Sequence, residues 1–327
     1  MLDTAHIDSY TILWLEWSIG SILVCTSGIL VLNYSDLLPN FVHRVVKYGK
    51  SADAHDVKIQ FLELPKRYFF HFYSLALVFY LFLASMVINM YFDINLFGDR
   101  LQISSSFIKT ILNNFTNYDY LAINYQRVAS ISPESVIVGL SLLIIQVARR
   151  LCECIMVSVY SNAKMNIIHY MFGHLFYIGV GLSMLAEAPG FAGPALPTRF
   201  KSNKLEFFTA NHMIGVGLFL WASYVQFDSH RILANLRKDT RGRIYTTKHS
   251  IPKGKWFDLV SSPHYMAEIL IYLAITIVLS GKSLTWWMVF LFVVTNQIFV
   301  GMFNHSWYLK TFKDYPKSRR AIIPYLL

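Results

Sequence analysis

Residues 265–304, YMAEILIYLAITIVLSGKSLTWWMVFLFVVTNQIFVGMFN, decide the fold. They hold two apolar runs, 265–281 and 284–304, each close to the roughly 20 residues a helix needs to cross a bilayer. Only Gly281, Lys282 and Ser283 join them, so the two helices return antiparallel as a hairpin. Five further segments approach the same length: 11–32, 69–92, 135–155, 167–187 and 207–226. The third is the least uniform, because Arg149, Arg150 and Glu153 interrupt it.

The composition agrees with that pattern. Of the 327 residues 55% are hydrophobic and only 15% charged, where a soluble domain carries about 25% charge. The chain therefore reads as an all-α integral membrane protein, seven transmembrane helices in one domain over residues 1–327, with no internal repeat. The start, MLDTAHIDSY, has acids and no Lys or Arg, the opposite of a cleavable signal, so the first run is expected to remain as a span. Cys25, Cys152 and Cys154 make no disulfide framework. Cys152 and Cys154 lack nearby third and fourth ligands, so no metal site is expected.

Orientation follows from the basic residues. With seven spans, loops 33–68, 156–166 and 227–264 and the C-terminal tail share one side. Counted with Arg149 and Arg150, that side holds 22 of the 29 Lys and Arg. The positive-inside rule makes it cytosolic, which puts the N-terminus in the lumen and the C-terminus in the cytosol. The sequon Asn114-Phe115-Thr116 then falls on the lumenal side, and those at Asn33 and Asn304 on the cytosolic side. The formal charge of +10 thus describes a cytosolic face suited to an anionic ligand or anionic lipid, with no need of nucleic acid.

Two polar segments on that face concentrate the chemistry. Residues 235–268 read NLRKDTRGRIYTTKHSIPKGKWFDLVSSPHYMAE, and residues 304–327 read NHSWYLKTFKDYPKSRRAIIPYLL. A basic juxtamembrane loop can simply fix topology and meet anionic lipid. It can also grip a polyanion through guanidinium forks. Tyr245, His249, Trp256, Asp258, His264, Tyr265 and Glu268 are interleaved with the charges, and a merely topogenic loop has no use for them. Ser262-Pro263 reads as a helix start, with Ser262 as the cap, which places His264 and Glu268 on one face. A buried structural ion pair for Glu268 and a hydrogen-bonded structural role for His305 stand beside the functional readings. His305 and Tyr308 share a face at i,i+3 spacing. Near the start, Glu63 sits in the apolar setting FLELPKRY, either as a raised-pKa acid or as an exposed loop acid. No G-x-G-x-x-G follows a strand and Gly281-Lys282-Ser283 lacks the glycine spacing of a phosphate loop, so a nucleotide would bind among helix ends and cytosolic loops.

Three blocks carry a family resemblance: residues 226–327, residues 146–162 (QVARRLCECIMVSVYSN) and residues 62–73 (LELPKRYFFHFY). In order and spacing they resemble the steroid 5α-reductase family, whose members are seven-helix membrane enzymes that use NADPH to reduce an alkene conjugated to a carbonyl. PKRYFFHFY, RRLCECIMVSVYSN and HSIPKGKWFDLVSSPHYMAE are most similar to its polyprenal-reducing branch. The resemblance implies roles residue by residue. Gln226, Arg237, Lys238 and Arg150 fall in the cofactor-binding set, with Gln226 and Arg237 on phosphates or ribose. His264 stands where the family usually has Asn beside the nicotinamide amide, with Glu268 four residues on. Tyr308 matches a cofactor-cleft tyrosine and Arg319 the arginine of the closing Y-P-K-x-R motif. His305, Glu63 and Tyr265 form the catalytic set, Glu63 resembling a residue that holds the substrate carbonyl. Two positions depart from the family: Val147 stands where a carbonyl-binding tyrosine precedes the third-span arginine, and Val300 where an arginine often precedes the C-terminal histidine.

The implied chemistry is constrained by charge. Hydride at the β-carbon of an α,β-unsaturated aldehyde leaves an enolate, and a donor on its oxygen stabilises the transition state by roughly 3–4 kcal/mol. An allylic alcohol has no such sink. The resemblance thus implies reduction of polyprenal to dolichal with NADPH, a long isoprenoid lipid as partner, and an endoplasmic reticulum membrane in the service of dolichol synthesis and N-glycosylation. Alternatives are a 3-oxo-Δ4 steroid reductase, a trans-2-enoyl-CoA reductase, and a non-enzymatic seven-span receptor or channel.

Overall fold

The computed structural model describes residues 9–39, 42, 46, 63–92, 94, 129–161, 163–191 and 209–327. The sequon at Asn114 lies outside them, as do Arg100, Lys109, Arg127, Arg199, Lys201 and Lys204. The described chain is almost wholly helical. Its long helices are α1 (Ser9–Asn33), α2 (Phe69–Phe92), α3 (Pro133–Cys152, continued by a π-helical turn over Glu153–Val157), α4 (Ile167–Leu185), α5 (Ala210–Asn235), α6 (Pro263–Val278) and α7 (Leu284–Thr311). Each coincides with one apolar run of the sequence. Five of them, all but α5 and α6, are long and apolar enough to cross a membrane. α6 has only 16 residues, and α5 carries polar residues along its length.

Local signals set the helix starts. Ser132, Asn166, Thr209 and Ser283 each accept a bond from a backbone N–H of the first turn that follows, satisfying a donor that the helix leaves orphaned. Ser262 does occupy the cap position of α6, with Pro263 in the first turn. Its side chain does not cap, however: the Ser262 hydroxyl accepts from the Asn304 amide of α7 at 3.2 Å, which ties the two polar segments together. The 279–283 turn closes through Gly281, whose φ of +64° suits a residue without Cβ.

Packing joins α1 to α7, α2 to α3 and α4, and α5 to α6 and α6 to α7. The core holds Tyr80, Leu83, Leu140, Met184, Phe219, Ile271 and Trp286. Outside it lies an exposed apolar belt that includes Ile22, Val78, Phe172 and Leu220, which suits a hydrocarbon environment. Helices α5 and α6 approach closely at Gly215. A Cβ on Gly215 would stand 2.7 Å from the Ala274 carbonyl oxygen and 2.6 Å from Val278 Cγ2. Gly215→Ala is therefore expected to push the two helices apart at a cost of about 1–3 kcal/mol. Thermal unfolding followed by tryptophan fluorescence should show a lowered midpoint; an unchanged one would mean that the helices separate without cost.

A small antiparallel ladder pairs β1 (Glu63–Pro65) with β2 (Lys164–Asn166), Glu63 opposite Asn166. It leads the chain into α2 and α4 at the end of the bundle where α3, α5 and α7 finish. The polar segments gather at that end.

Candidate active site

A cleft of about 170 Å³ opens at this polar end. Lys66 before α2 reaches it, as do Leu233, Leu236 and Arg237 from the end of α5, and Lys248, His249 and Ser250 from the loop. His264 and Tyr265 line it from the start of α6, and Val300, Asn304 and Tyr308 from the end of α7. No carboxylate lines it among the described residues, while Lys66, Arg237, Lys248 and His249 do. Such a donor set suits a polyanion. Arg237 is fixed by bonds to the Val159 carbonyl and, at 3.0 Å, to His249 Nδ1. Burial pulls its pKa below the ordinary arginine value, which means that an anion would relieve an unfavourable environment; the guanidinium stays charged throughout.

Behind the cleft lies a buried polar network between α2, α3, α5 and α6. Gln226 donates to the His264 carbonyl at 3.3 Å and to the Glu268 carboxylate. Gln146 donates to Gln226 Oε1 at 3.1 Å and to Glu268 at 3.3 Å. Arg149 donates to Gln146 Oε1 at 2.7 Å. Arg149 and Arg150 both pair with Glu153, whose side chain is only 2% exposed. His230 Nδ1 lies 2.7 Å from Glu153 Oε2 and 2.7 Å from Arg150 Nη1. The His230 ring stands 5.4 Å from that of His264, linking the network to the cleft wall.

The C-terminal tail forms a third cluster. Ser261 Oγ lies 2.7 Å from His305 Nδ1 and 2.6 Å from the Tyr315 hydroxyl. Tyr315 stacks on Tyr308 with ring centroids 5.0 Å apart. Arg319, only 4% exposed, donates to the Pro252 carbonyl at 2.8 Å and lies over the Tyr315 ring at 5.3 Å. The backbone of Arg320 bonds to Leu259 and Ser261. The tail thereby fixes the loop that forms the cleft.

Of the residues singled out from sequence, the structure thus puts Arg237, His264, Tyr265 and Tyr308 in the cleft wall. Gln226, Glu268 and Arg150 belong to the network behind it. His305 and Arg319 sit in the tail cluster; His305 shares Tyr315 with Tyr308 but does not line the cleft. Lys238 reaches the Val157 carbonyl at 3.4 Å, and Glu63 pairs with Lys164 at 3.6 Å on the β ladder. Sequence reasoning passed over Gln146 and His230, and it took Arg149 and Glu153 as interruptions of a span, with Arg149 otherwise counted only for orientation. The signal was the spacing of positions 146, 149, 150 and 153, one inward stripe of a helix.

Comparison with known proteins gives the family. A family model described as 3-oxo-5-alpha-steroid 4-dehydrogenase matches residues 195–327. The polyprenal reductase of Danio rerio is 35% identical over 316 residues, which cover 93% of this chain and 95% of that protein. Those of Drosophila melanogaster and Caenorhabditis elegans are each 32% identical, covering 98% and 94% of this chain and 95% of either relative. The protein is a multi-pass membrane oxidoreductase, and it belongs to the steroid 5α-reductase family, within the branch of the polyprenal reductases.

Proposed function

We propose that the protein reduces the α-isoprene double bond of polyprenal to give dolichal, with NADPH as the reductant, in the endoplasmic reticulum membrane. The observation that supports this most strongly is the near full-length likeness to polyprenal reductases. The reading takes the chain as one domain of seven spans, α5 and α6 included, with the N-terminus lumenal and the C-terminus cytosolic. The cleft then faces the cytosol, where the cofactor is found, and the isoprenoid tail lies among apolar helices. The product serves dolichol synthesis and hence protein N-glycosylation.

The cleft residues suit the cofactor by their charge. Lys66, Arg237, Lys248 and His249 would hold its phosphates, Lys238 stands beside them, and His264, Tyr265 and Tyr308 would flank its ring end. NADPH supplies a hydride when bound. Gln226 and Glu268 hold the first turn of α6, and with it His264, in place. Arg319 and His305 keep the tail against the loop. Glu63 is assigned to the substrate side, on the ladder beside Lys66.

The test is NADPH oxidation by the purified protein in detergent, offered polyprenal, polyprenol and testosterone in parallel. Turnover with polyprenal alone is the expected result. Turnover of polyprenol with no aldehyde intermediate would defeat the electron-sink argument. Turnover of testosterone alone would make the protein a steroid reductase, and failure to bind NADPH would overturn the choice of reductant.

A further inference from the structure

The reaction needs a hydrogen-bond donor at the aldehyde oxygen, and α3 offers none three residues before Arg150, where Val147 stands 1% exposed, while the Gln146 amide beside it already donates to Gln226 and Glu268. A phenol reaches Arg150 from another helix instead. Tyr73 of α2 accepts from Arg150 Nε at 3.3 Å and from Nη2 at 3.2 Å, and the guanidinium lies over the Tyr73 ring at 5.1 Å. Arg150 is itself held by Glu153 and His230, so the phenol's partner has a fixed place. We propose, on the functional reading above, that Tyr73 is the catalytic residue that hydrogen-bonds the aldehyde oxygen, with Arg150 as its positioning residue.

Three observations lead to this assignment. A phenol oxygen that already accepts from a guanidinium keeps its own O–H to donate, and the neighbouring Tyr177 phenol competes for it until a substrate oxygen is present. The cationic partner also strengthens that donor as negative charge develops on the substrate oxygen. The position fits as well. Through His230 and His264 the Tyr73–Arg150 pair connects to the cleft wall, while the next turns of α2 present Ala76 and Tyr80 to the apolar core. An aldehyde bound with its oxygen at Tyr73 would thus have its polar end toward the cleft and its tail among apolar side chains. In the step itself, hydride from NADPH bonds to C3 and the C2=C3 electron pair shifts to give an enolate. Tyr73 hydrogen-bonds the enolate oxygen. C2 then takes a proton of solvent origin as the carbonyl re-forms, so the alkene is reduced and NADPH oxidised to NADP+.

Tyr73→Phe in the full-length protein is the test. The rate constant kcat for polyprenal reduction should fall about 100-fold, with the NADPH Kd within about twofold of wild type and the melting midpoint little changed. 3-Fluorotyrosine at position 73 keeps the shape and lowers the phenol pKa; it should move the alkaline limb of the kcat–pH profile to lower pH. That shift would not follow from a purely structural tie to Arg150, and it decides the matter if Tyr73→Phe fails to fold. Turnover of Tyr73→Phe within threefold of wild type, or a fluorotyrosine profile that superimposes on the wild-type one, overturns the assignment. A wild-type protein that binds NADPH but leaves polyprenal unreduced overturns the functional reading, and the assignment with it.

Discussion

Glu153→Ala is expected to cost about 3–5 kcal/mol of stability, because it leaves buried charges without their partner. Glu153 is the only carboxylate paired with Arg149 and Arg150 among the described residues, and it also meets His230 at 2.7 Å. The two guanidinium side chains are 20% and 14% exposed, so water can replace the lost carboxylate only in part. Two adjacent cations would then repel one another next to the hydrocarbon, where charge is most expensive. At about 2–4 °C per kcal/mol for a chain of this size, the unfolding midpoint in detergent should drop by roughly 10 °C. Glu153→Gln keeps one of the two acceptor oxygens and loses the charge, so its midpoint should fall between the two. A midpoint within 2 °C of wild type for Glu153→Ala would show that the network does not hold the fold together. The effect should extend to catalysis, since Arg150 links Glu153 to Tyr73.

Much of the helical plan was legible because apolar runs record hydrocarbon contact directly. Their ends were less so. α5 runs on to Asn235 and α7 to Thr311, well past the points where hydropathy falls. A loss of apolar character marks the edge of the core, whereas a helix stops only where capping or a competing contact stops it. The cleft was partly legible: Arg237, His264, Tyr265 and Tyr308 line it, and the mixture of basic and aromatic residues in the loop was the clue. What remained hidden depends on contacts between distant segments. Ser262 has the sequence of a cap, yet Asn304 claims its hydroxyl. Glu63 gives no sign of its pairing with Lys164, because the β1–β2 ladder joins segments about a hundred residues apart. His230 was missed because a single histidine within a helix has no spacing to give it away, and only the fold puts it beside Glu153 and Arg150.

Arg237→Glu should weaken NADPH binding by roughly a thousandfold. The loss of one charge-assisted bond to a phosphate amounts to about 1.5–3 kcal/mol, and a carboxylate facing that phosphate adds repulsion in a half-buried cleft. Together these reach about 4 kcal/mol, at 1.4 kcal/mol per factor of ten. Arg237 also ties the cleft together through the Val159 carbonyl and His249, so part of any loss could come from a disordered loop. Arg237→Gln separates the two contributions: its amide can still donate to the Val159 carbonyl, but it carries no charge. Binding by the glutamine variant should lie between wild type and the glutamate variant. Its affinity should also fall less steeply as salt is raised, because it has lost one of the charges that salt screens. KM for polyprenal measured at saturating NADPH should change little in either variant under the proposed assignment, in which the cleft takes the cofactor and the apolar interior takes the lipid. If Arg237→Glu instead raises KM for polyprenal and leaves the NADPH Kd within threefold of wild type, the basic cleft is the lipid's site. The cofactor would then have to be sought elsewhere on the same face, with the exposed basic residues Arg231 and Lys255 the next to examine.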